Sequence, residues 1–139
     1  MSFSEDAMLE QLRQRSRIGL PGTMQMEPVR AAPGALTLRL AIQPFHLAPN
    51  GYLHAATIVA LADTACGFGC VANLPPDAVN FTTVELKTNF LRTATDGVIE
   101  CEATLMHGGK RTQIWDATVF DATRRVLALF RCTQMLLYP

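Results

Sequence analysis

Asp63 is the only formally charged side chain between Arg39 and Asp77, and it sits inside the run Ala55-Ala-Thr-Ile-Val-Ala-Leu-Ala-Asp63-Thr-Ala-Cys-Gly-Phe-Gly-Cys-Val-Ala72. A segment this apolar has to be buried if it is helical, and an unpaired carboxylate buried with it costs roughly 2 kcal/mol or more. Desolvation also raises a carboxyl pKa, which is the condition for a general base or a nucleophile. Just upstream, His54 stands at the start of the same helix. The first amides of that helix, at Ala55 and Ala56, have no intrahelical partners and lie at the positive end of the helix dipole, so they can hold a developing oxyanion. From His54 to Asp63 the rise along one helix is roughly 13 Å, too far for both ends to serve one substrate atom within a chain. A two-fold dimer solves the geometry by pairing the helix start of one subunit with Asp63 of the other.

Ala56, Ala60, Asp63, Gly67 and Cys70 share a face at helical spacing, and all but the Asp are small. Such a face admits a neighbour or a thin ligand along a narrow channel. It equally lets a sheet pack closely, with Asp63 satisfied by a buried amide or hydroxyl, and both readings stand at this level.

The residue inventory removes other chemistries. All three serines, Ser2, Ser4 and Ser16, fall at the start of the chain, which excludes a Ser-His-Asp hydrolase and its Gly-x-Ser-x-Gly elbow. No Gly-x-Gly-x-x-Gly or P-loop pattern is present. Cys66, Cys70, Cys101 and Cys132 show no CxxC spacing and no accompanying His cluster, so no metal site, disulfide framework or bound cofactor is indicated, and the chain is expected to be cytoplasmic. Twelve basic residues balance twelve acidic ones, leaving no global field for nucleic acid or an anionic membrane. The beginning of the chain lacks the apolar core of a secretory signal. Residues Leu53 to Ala72 are long enough for a membrane span, but a central Asp would cost about 2.5 to 3.5 kcal/mol there. The expectation is a buried helix of a soluble domain.

Around this helix the chain organises itself. Its 139 residues suit one domain over 1–139. Charged residues make up 17% and apolar ones 49%, too little charge to cover a monomer, which points to a second buried surface at a subunit interface. Ser2 or Ser4 can cap a short helix within 1–20 that Pro21-Gly22 ends. Alternation of Leu36, Leu38, Leu40 and Ile42 predicts a strand that Pro44 stops. A turn-rich loop through Pro49-Asn50-Gly51 leads into the central helix, 53–73. Four strands follow, Asn80 to Leu91, Val98 to His107, Arg111 to Phe120 and Val126 to Leu137, separated by Asp96-Gly97, Gly108-Gly109 and Asp121 to Arg125. The class is α+β, an antiparallel sheet around one long helix. Apolar residues at both parities of the last strand predict that both sheet faces are partly covered.

The stretch Pro49-Asn-Gly-Tyr-Leu-His-Ala-Ala-Thr-Ile-Val-Ala-Leu-Ala-Asp-Thr-Ala-Cys-Gly67 resembles the signature of hotdog-fold acyl-CoA thioesterases of the phenylacetic-acid-degradation type, in the 4-hydroxybenzoyl-CoA thioesterase superfamily. Thr83 to Arg92, His107 to Arg111 and Val126 to Met135 extend the similarity over most of the chain from Leu36 onward. The resemblance implies a five-stranded hotdog sheet, dimers with one continuous sheet that commonly pair into homotetramers, and metal-free hydrolysis of acyl-CoA, the coenzyme A belonging to the substrate. By position Asp63 matches the catalytic carboxylate, as general base or nucleophile. Ala55 takes the place of the Gly whose amide polarises the carbonyl, Asn50 and His54 match residues that position thioester or water, and Thr83 falls where some members place a hydroxyl. The chain reads His54-Ala55-Ala56 where the family usually has His-Gly-Gly; alanine keeps the amide donor and favours the helix. His54 either positions substrate or caps the helix. His46 and His107 are expected to be ordinary loop and turn residues. Lys110 and Arg111 either meet coenzyme A phosphates or form a solvated hairpin tip. Phe45, Tyr52 and Phe68 either line an acyl pocket or fill core. Two alternatives remain on sequence grounds, a non-catalytic acyl-CoA binding protein and a hotdog enoyl hydratase or dehydratase using His54 and Asp63.

Overall fold

The computed structural model describes residues 2–139. Helix α1, Glu5–Arg15, begins where the Ser4 hydroxyl accepts the Ala7 amide at 3.3 Å, with Glu5 and Asp6 in its first turn and Arg13 and Arg15 in its last, each complementing the dipole. It docks Leu9 and Leu12 into the core. Pro21-Gly22 does not end this helix. It lies inside a second short helix, α2, Gly19–Thr23, because proline in a first turn gives up only an amide that had no intrahelical acceptor.

A strand absent from the sequence reading follows. Strand β1, Glu27–Ala32, is hidden in the sequence by Pro28 and by the Pro33-Gly34 turn, yet it forms because it is an edge strand with a bulge between Pro28 and Arg30. The sheet therefore has six strands rather than five, in the order β1-β2-β4-β5-β6-β3, all antiparallel. The others are β2 (Ala35–Ala41), β3 (Asn80–Phe90), β4 (Val98–Gly108), β5 (Thr112–Phe120) and β6 (Val126–Leu137). In β2 the predicted alternation holds, with Leu36, Leu38 and Leu40 buried.

Helix α3, Ala55–Ala72, lies in the concave face of this sheet. Ile58, Leu61, Ala62, Ala65 and Cys66 of the helix pack with Leu38, Ile99, Cys101, Trp115, Val119 and Cys132 of the strands. This cover accounts for a helix apolar and long enough to cross a membrane, with mean hydropathy 1.6. Close approach depends on Gly69, where a Cβ would stand 2.6 Å from the Trp115 ring. Asn73 ties down the far end: its Oδ1 accepts the Gly34 amide at 2.9 Å, its Nδ2 donates to the Gly69 carbonyl at 2.8 Å, and its own carbonyl accepts from Gln113 at 2.9 Å. At the near end Leu53 N–H donates to Ala94 O at 3.0 Å.

On β6 one face is buried, while Leu129, Met135 and Leu137 stand open on the other beside the Asp116–Arg131 pair. In a single chain the second face is uncovered. At the opposite edge of the sheet from β1, strand β3 exposes Val84, Leu86 and Phe90 by 51%, 41% and 48%, the apolar excess that the composition had implied. A sheet wrapped around one long helix in this way is the hotdog fold.

Candidate active site

Three elements converge on Asp63. The helix α3 carries it at the boundary of the core, half-buried, with Ile58, Leu61 and Ala62 on the buried side. From β3, Thr83 donates its hydroxyl to Asp63 Oδ1 at 2.9 Å. From β6, the fully buried Gln134 places its carboxamide 2.9 Å from the same hydroxyl. Burial raises the Asp63 pKa, and the Thr83 hydrogen bond, favouring the charged form, partly opposes it. Asp63 is thus neither of the two extremes its sequence context allowed. It has a hydroxyl partner, and it is not sealed.

The open stripe of α3 consists of Ala55, Ala56, Val59, Ala60, Asp63 and Thr64. The stripe expected from spacing ran on to Gly67 and Cys70, and this is corrected: both are buried, Gly67 under Phe81, whose Cζ would lie 2.9 Å from an added Cβ. Phe81 closes the groove one turn past Asp63. Two surface cavities, of about 370 and 330 Å³, lie away from Asp63, the first around Lys87, Leu129 and Arg131 on the outer sheet face and the second around Tyr52, Thr93 and Asp121. In one chain the Asp63 groove has no second wall.

At the helix start His54 is the N-cap, its Nδ1 accepting the Ala56 amide at 2.9 Å. With Nδ1 accepting, the nitrogen left to donate is Nε2, and the ring is exposed. Of the two amides expected to be free, Ala56 is occupied by His54, while Ala55 N–H has no partner among the described residues. Asn50 forms an Asx turn, Oδ1 accepting the Tyr52 amide at 3.1 Å, and its amide nitrogen faces solvent. Asn50, His54 and Ala55 thus cluster before and at the start of α3, and Asp63 and Thr83 lie two turns away.

Lys110 and Arg111 are exposed at the β4–β5 hairpin tip, where the Lys110 carbonyl accepts from the Tyr138 hydroxyl and the Arg111 carbonyl from Leu136 N–H. Their hairpin adjoins the C-terminal end of α3 through Gln113 and Asn73, so within one chain they are remote from Ala55. Phe68 is buried, whereas Phe45 and Tyr52 are exposed by 56% and 53%.

Two residues escaped the sequence reading. Gln134 lies in a strand with no motif, and its alternation marks only a buried position. His46, expected to be an ordinary loop residue, is fully buried: Nδ1 accepts Gln43 N–H at 2.9 Å, Nε2 donates to Met24 O at 2.9 Å, and its carbonyl accepts the Thr57 hydroxyl at 2.8 Å and the His54 amide at 3.1 Å. It fixes the loop that delivers His54. Cys66 and Cys70 on α3 are poor nucleophiles: a hydrogen bond to Cys132 and burial push the Cys66 thiol well up, and burial pushes Cys70 up to about 12.

The thioesterase superfamily profile matches residues 50–128, from Asn50 through β5 into β6. A 1,4-dihydroxy-2-naphthoyl-CoA hydrolase of Listeria monocytogenes is 32% identical over 116 residues, 84% of this chain and 94% of that protein. Among solved structures, a mutant thioesterase of Pseudomonas aeruginosa superposes with a TM-score of 0.89 at 21% identity, covering 94% of each chain. The E. coli PaaI protein from the phenylacetic acid degradation operon superposes with a TM-score of 0.84 at 18% identity, covering 96% of each. The chain belongs to the thioesterase superfamily, as a hotdog-fold thioester hydrolase.

Proposed function

We propose that this protein hydrolyses acyl-CoA thioesters to free acid and coenzyme A, with Asp63 as general base. The observation that carries the reading is a half-buried carboxylate of raised pKa, held by one hydroxyl and facing an open groove. Asp63 takes a proton from water as the water oxygen bonds to the carbonyl carbon. Negative charge on the carbonyl oxygen is met by the free Ala55 amide at the positive end of α3. Collapse breaks the carbon–sulfur bond, and the proton on Asp63 passes to the leaving thiolate, restoring the carboxylate. The same site admits direct attack by Asp63 through an anhydride, which isotope incorporation from labelled water would separate.

The site takes two copies. Strand β3 offers a free edge and its exposed Val84, Leu86 and Phe90. A second copy added antiparallel through β3 would continue the sheet and set the two α3 helices side by side, running oppositely, so that each Ala55 approaches the other's Asp63. The same operation carries Lys110 and Arg111 of each protomer toward the other's helix start, where the phosphates of coenzyme A would extend. On this reading His54 Nε2–H and the Asn50 amide orient the thioester or the water. We propose the homodimer as the catalytic unit and a homotetramer as its further assembly.

The test is a panel of aromatic and aliphatic acyl-CoA esters with a thiol-trapping dye, the aromatic members motivated by the Listeria relative. Asp63→Asn should keep the fold and lower kcat by orders of magnitude, since shape is kept and the base is lost. Undiminished turnover in that variant would end the assignment. Tight coenzyme A binding with no thiol released from any ester would instead indicate a non-catalytic binder, and a change in enoyl absorbance without thiol release a hydratase.

A further inference from the structure

We propose that Gln134 is a positioning residue of this site: its carboxamide, acting through the Thr83 hydroxyl, keeps Asp63 hydrogen-bonded in both protonation states that base catalysis passes through. The inference rests on Asp63 being the general base.

The argument is one of proton counting. Thr83 and Gln134 face each other across the β3–β6 ladder, and Thr83 Oγ1 lies 2.9 Å from both Asp63 Oδ1 and Gln134 Oε1. A hydroxyl has a single proton to donate. When Asp63 is ionised it can only accept, so Thr83 donates to it, and what faces Thr83 from Gln134 must be the donor NH2. When Asp63 holds the proton of water on Oδ1, the oxygen that faces Thr83, it becomes the donor, Thr83 turns its own proton toward Gln134, and what faces Thr83 is then the carboxamide oxygen. A carboxamide meets both demands by turning about its last bond; methionine meets neither as well, and an ionised glutamate meets only the second.

The surroundings permit that turn. The other end of the Gln134 carboxamide faces Cys132, with Nε2 at 3.4 Å from Sγ, and a thiol is both a weak acceptor and a weak donor. No further polar partner fixes the group among the described residues. A fully buried glutamine with a sulfur and one hydroxyl as its side-chain partners is a poor device for stability alone, because a neutral hydrogen bond contributes only about 1 kcal/mol net.

Among the described residues no other charged group lies against Asp63. The titratable groups on its side of the sheet are thiols: Cys66 and Cys70 further along α3, Cys132 on β6 and Cys101 on β4, all buried. Glu85 and Lys87 of β3 are exposed at the sheet edge. Asp116 of β5 and Arg131 of β6 pair with each other on the outer face, as Glu100 and Glu102 of β4 do with Arg124. On β2, Arg39 is taken by Glu27 of β1.

The experiment compares wild type, Gln134→Met, Gln134→Glu, Thr83→Val and the Thr83→Val/Gln134→Met double variant. The substrate is benzoyl-CoA, or whichever panel member wild type turns over fastest, with released coenzyme A quantified chromatographically from pH 4 to 9. Gln134→Met should lower kcat tenfold or more with KM within threefold, and should add nothing in the Thr83→Val background. Gln134→Glu should move the acidic limb of the kcat/KM profile to higher pH, because an ionised acceptor takes the Thr83 proton away from Asp63. A kcat within threefold of wild type for Gln134→Met, an equal further loss in the Thr83→Val background, or an unmoved limb in Gln134→Glu overturns the inference. Should Gln134→Met melt below the assay temperature, the Gln134→Glu profile decides alone. Activity retained by Asp63→Asn would remove the general-base reading itself; an inactive Asp63→Asn beside wild-type behaviour of the Gln134 series removes only this one.

Discussion

Replacing Asp63 by Asn should stabilise the protein at neutral pH while abolishing its turnover. Burial raises the pKa of Asp63 in the folded chain above its unfolded value. A carboxyl raised in this sense favours folding fully below its unfolded pKa, about 3.9, and that contribution is lost as pH rises through the folded value. Above it, wild type holds a charge in a site that prefers a neutral group. Asparagine removes the charge and keeps an oxygen that accepts from Thr83, so the hydrogen bond at 2.9 Å survives. The cost relieved is well short of a deep-core charge, because Asp63 is only half-buried and water screens it; about 1 kcal/mol is the scale. For a chain of 139 residues that is a rise in Tm of roughly 3 to 5 °C. The assay is thermal melting of both proteins at pH 3, 5 and 7, at one protomer concentration. The gap should be near zero at pH 3, where wild type is protonated folded and unfolded, and widest at pH 7. An Asp63→Asn protein that melts below wild type at pH 7 would refute the reasoning, because the carboxylate would then be held by favourable contacts that the structure lacks.

Other substitutions test how the site is supported. Gly69→Ala should cost up to about 2 kcal/mol, since overpacking a closed core costs about 1 to 3 and the helix gains about 1 from alanine; its Cβ would meet the rigidly held Trp115 ring at 2.6 Å, which sets the cost at the upper end, and urea titration should show the midpoint fall. Gly67→Ala meets only the far end of the half-buried Phe81 at 2.9 Å, and a ring turn there should leave the urea midpoint nearly unchanged. His46→Leu strands the Gln43 amide and the Met24 carbonyl, at about 1 to 3 kcal/mol each. It should drop Tm by about 10 °C and loosen the His54 loop, read as faster hydrogen exchange at Leu53 and His54.

What could be read beforehand followed from periodicity. The central helix, the strand through Leu36, Leu38 and Leu40, and the last four strands all carry patterns set by burial on one side, and Asp63 stood out because it broke such a pattern. Strand β1 was invisible because edge position, which excuses Pro28, is a property of the sheet and not of the segment. His46 and Gln134 were missed for a related reason. A polar residue at a buried position looks ordinary until its partners are known, and those of His46 lie as far off as Met24, those of Gln134 as far off as Thr83. The length of the open stripe was overestimated because spacing shows which residues share a helix face but not which aromatic, here Phe81, is folded over it.

The placement of the acid also follows from how the sheet wraps the helix. Strand β3 is last in the sheet, so beyond it nothing covers α3, and the helix stripe from Ala55 to Thr64 stays open on that side. A residue there is desolvated from the sheet side and reachable from the other, which is the condition for a carboxylate that is both perturbed and usable. At Leu61, two residues back, the carboxylate would be sealed in the core; at Ala56 it would lie in solvent at the positive end of the helix, with nothing to raise its pKa. The uncovered edge that leaves a single chain with exposed Val84, Leu86 and Phe90 is therefore the same feature that gives Asp63 its groove. Stabilising that edge by covering it with anything other than a second copy, such as a designed polar cap at Val84 and Leu86, should solubilise the monomer and extinguish turnover together, if the proposed dimer is what brings Ala55 toward Asp63; an active, monomeric capped variant by light scattering and thiol release would refute that dimer.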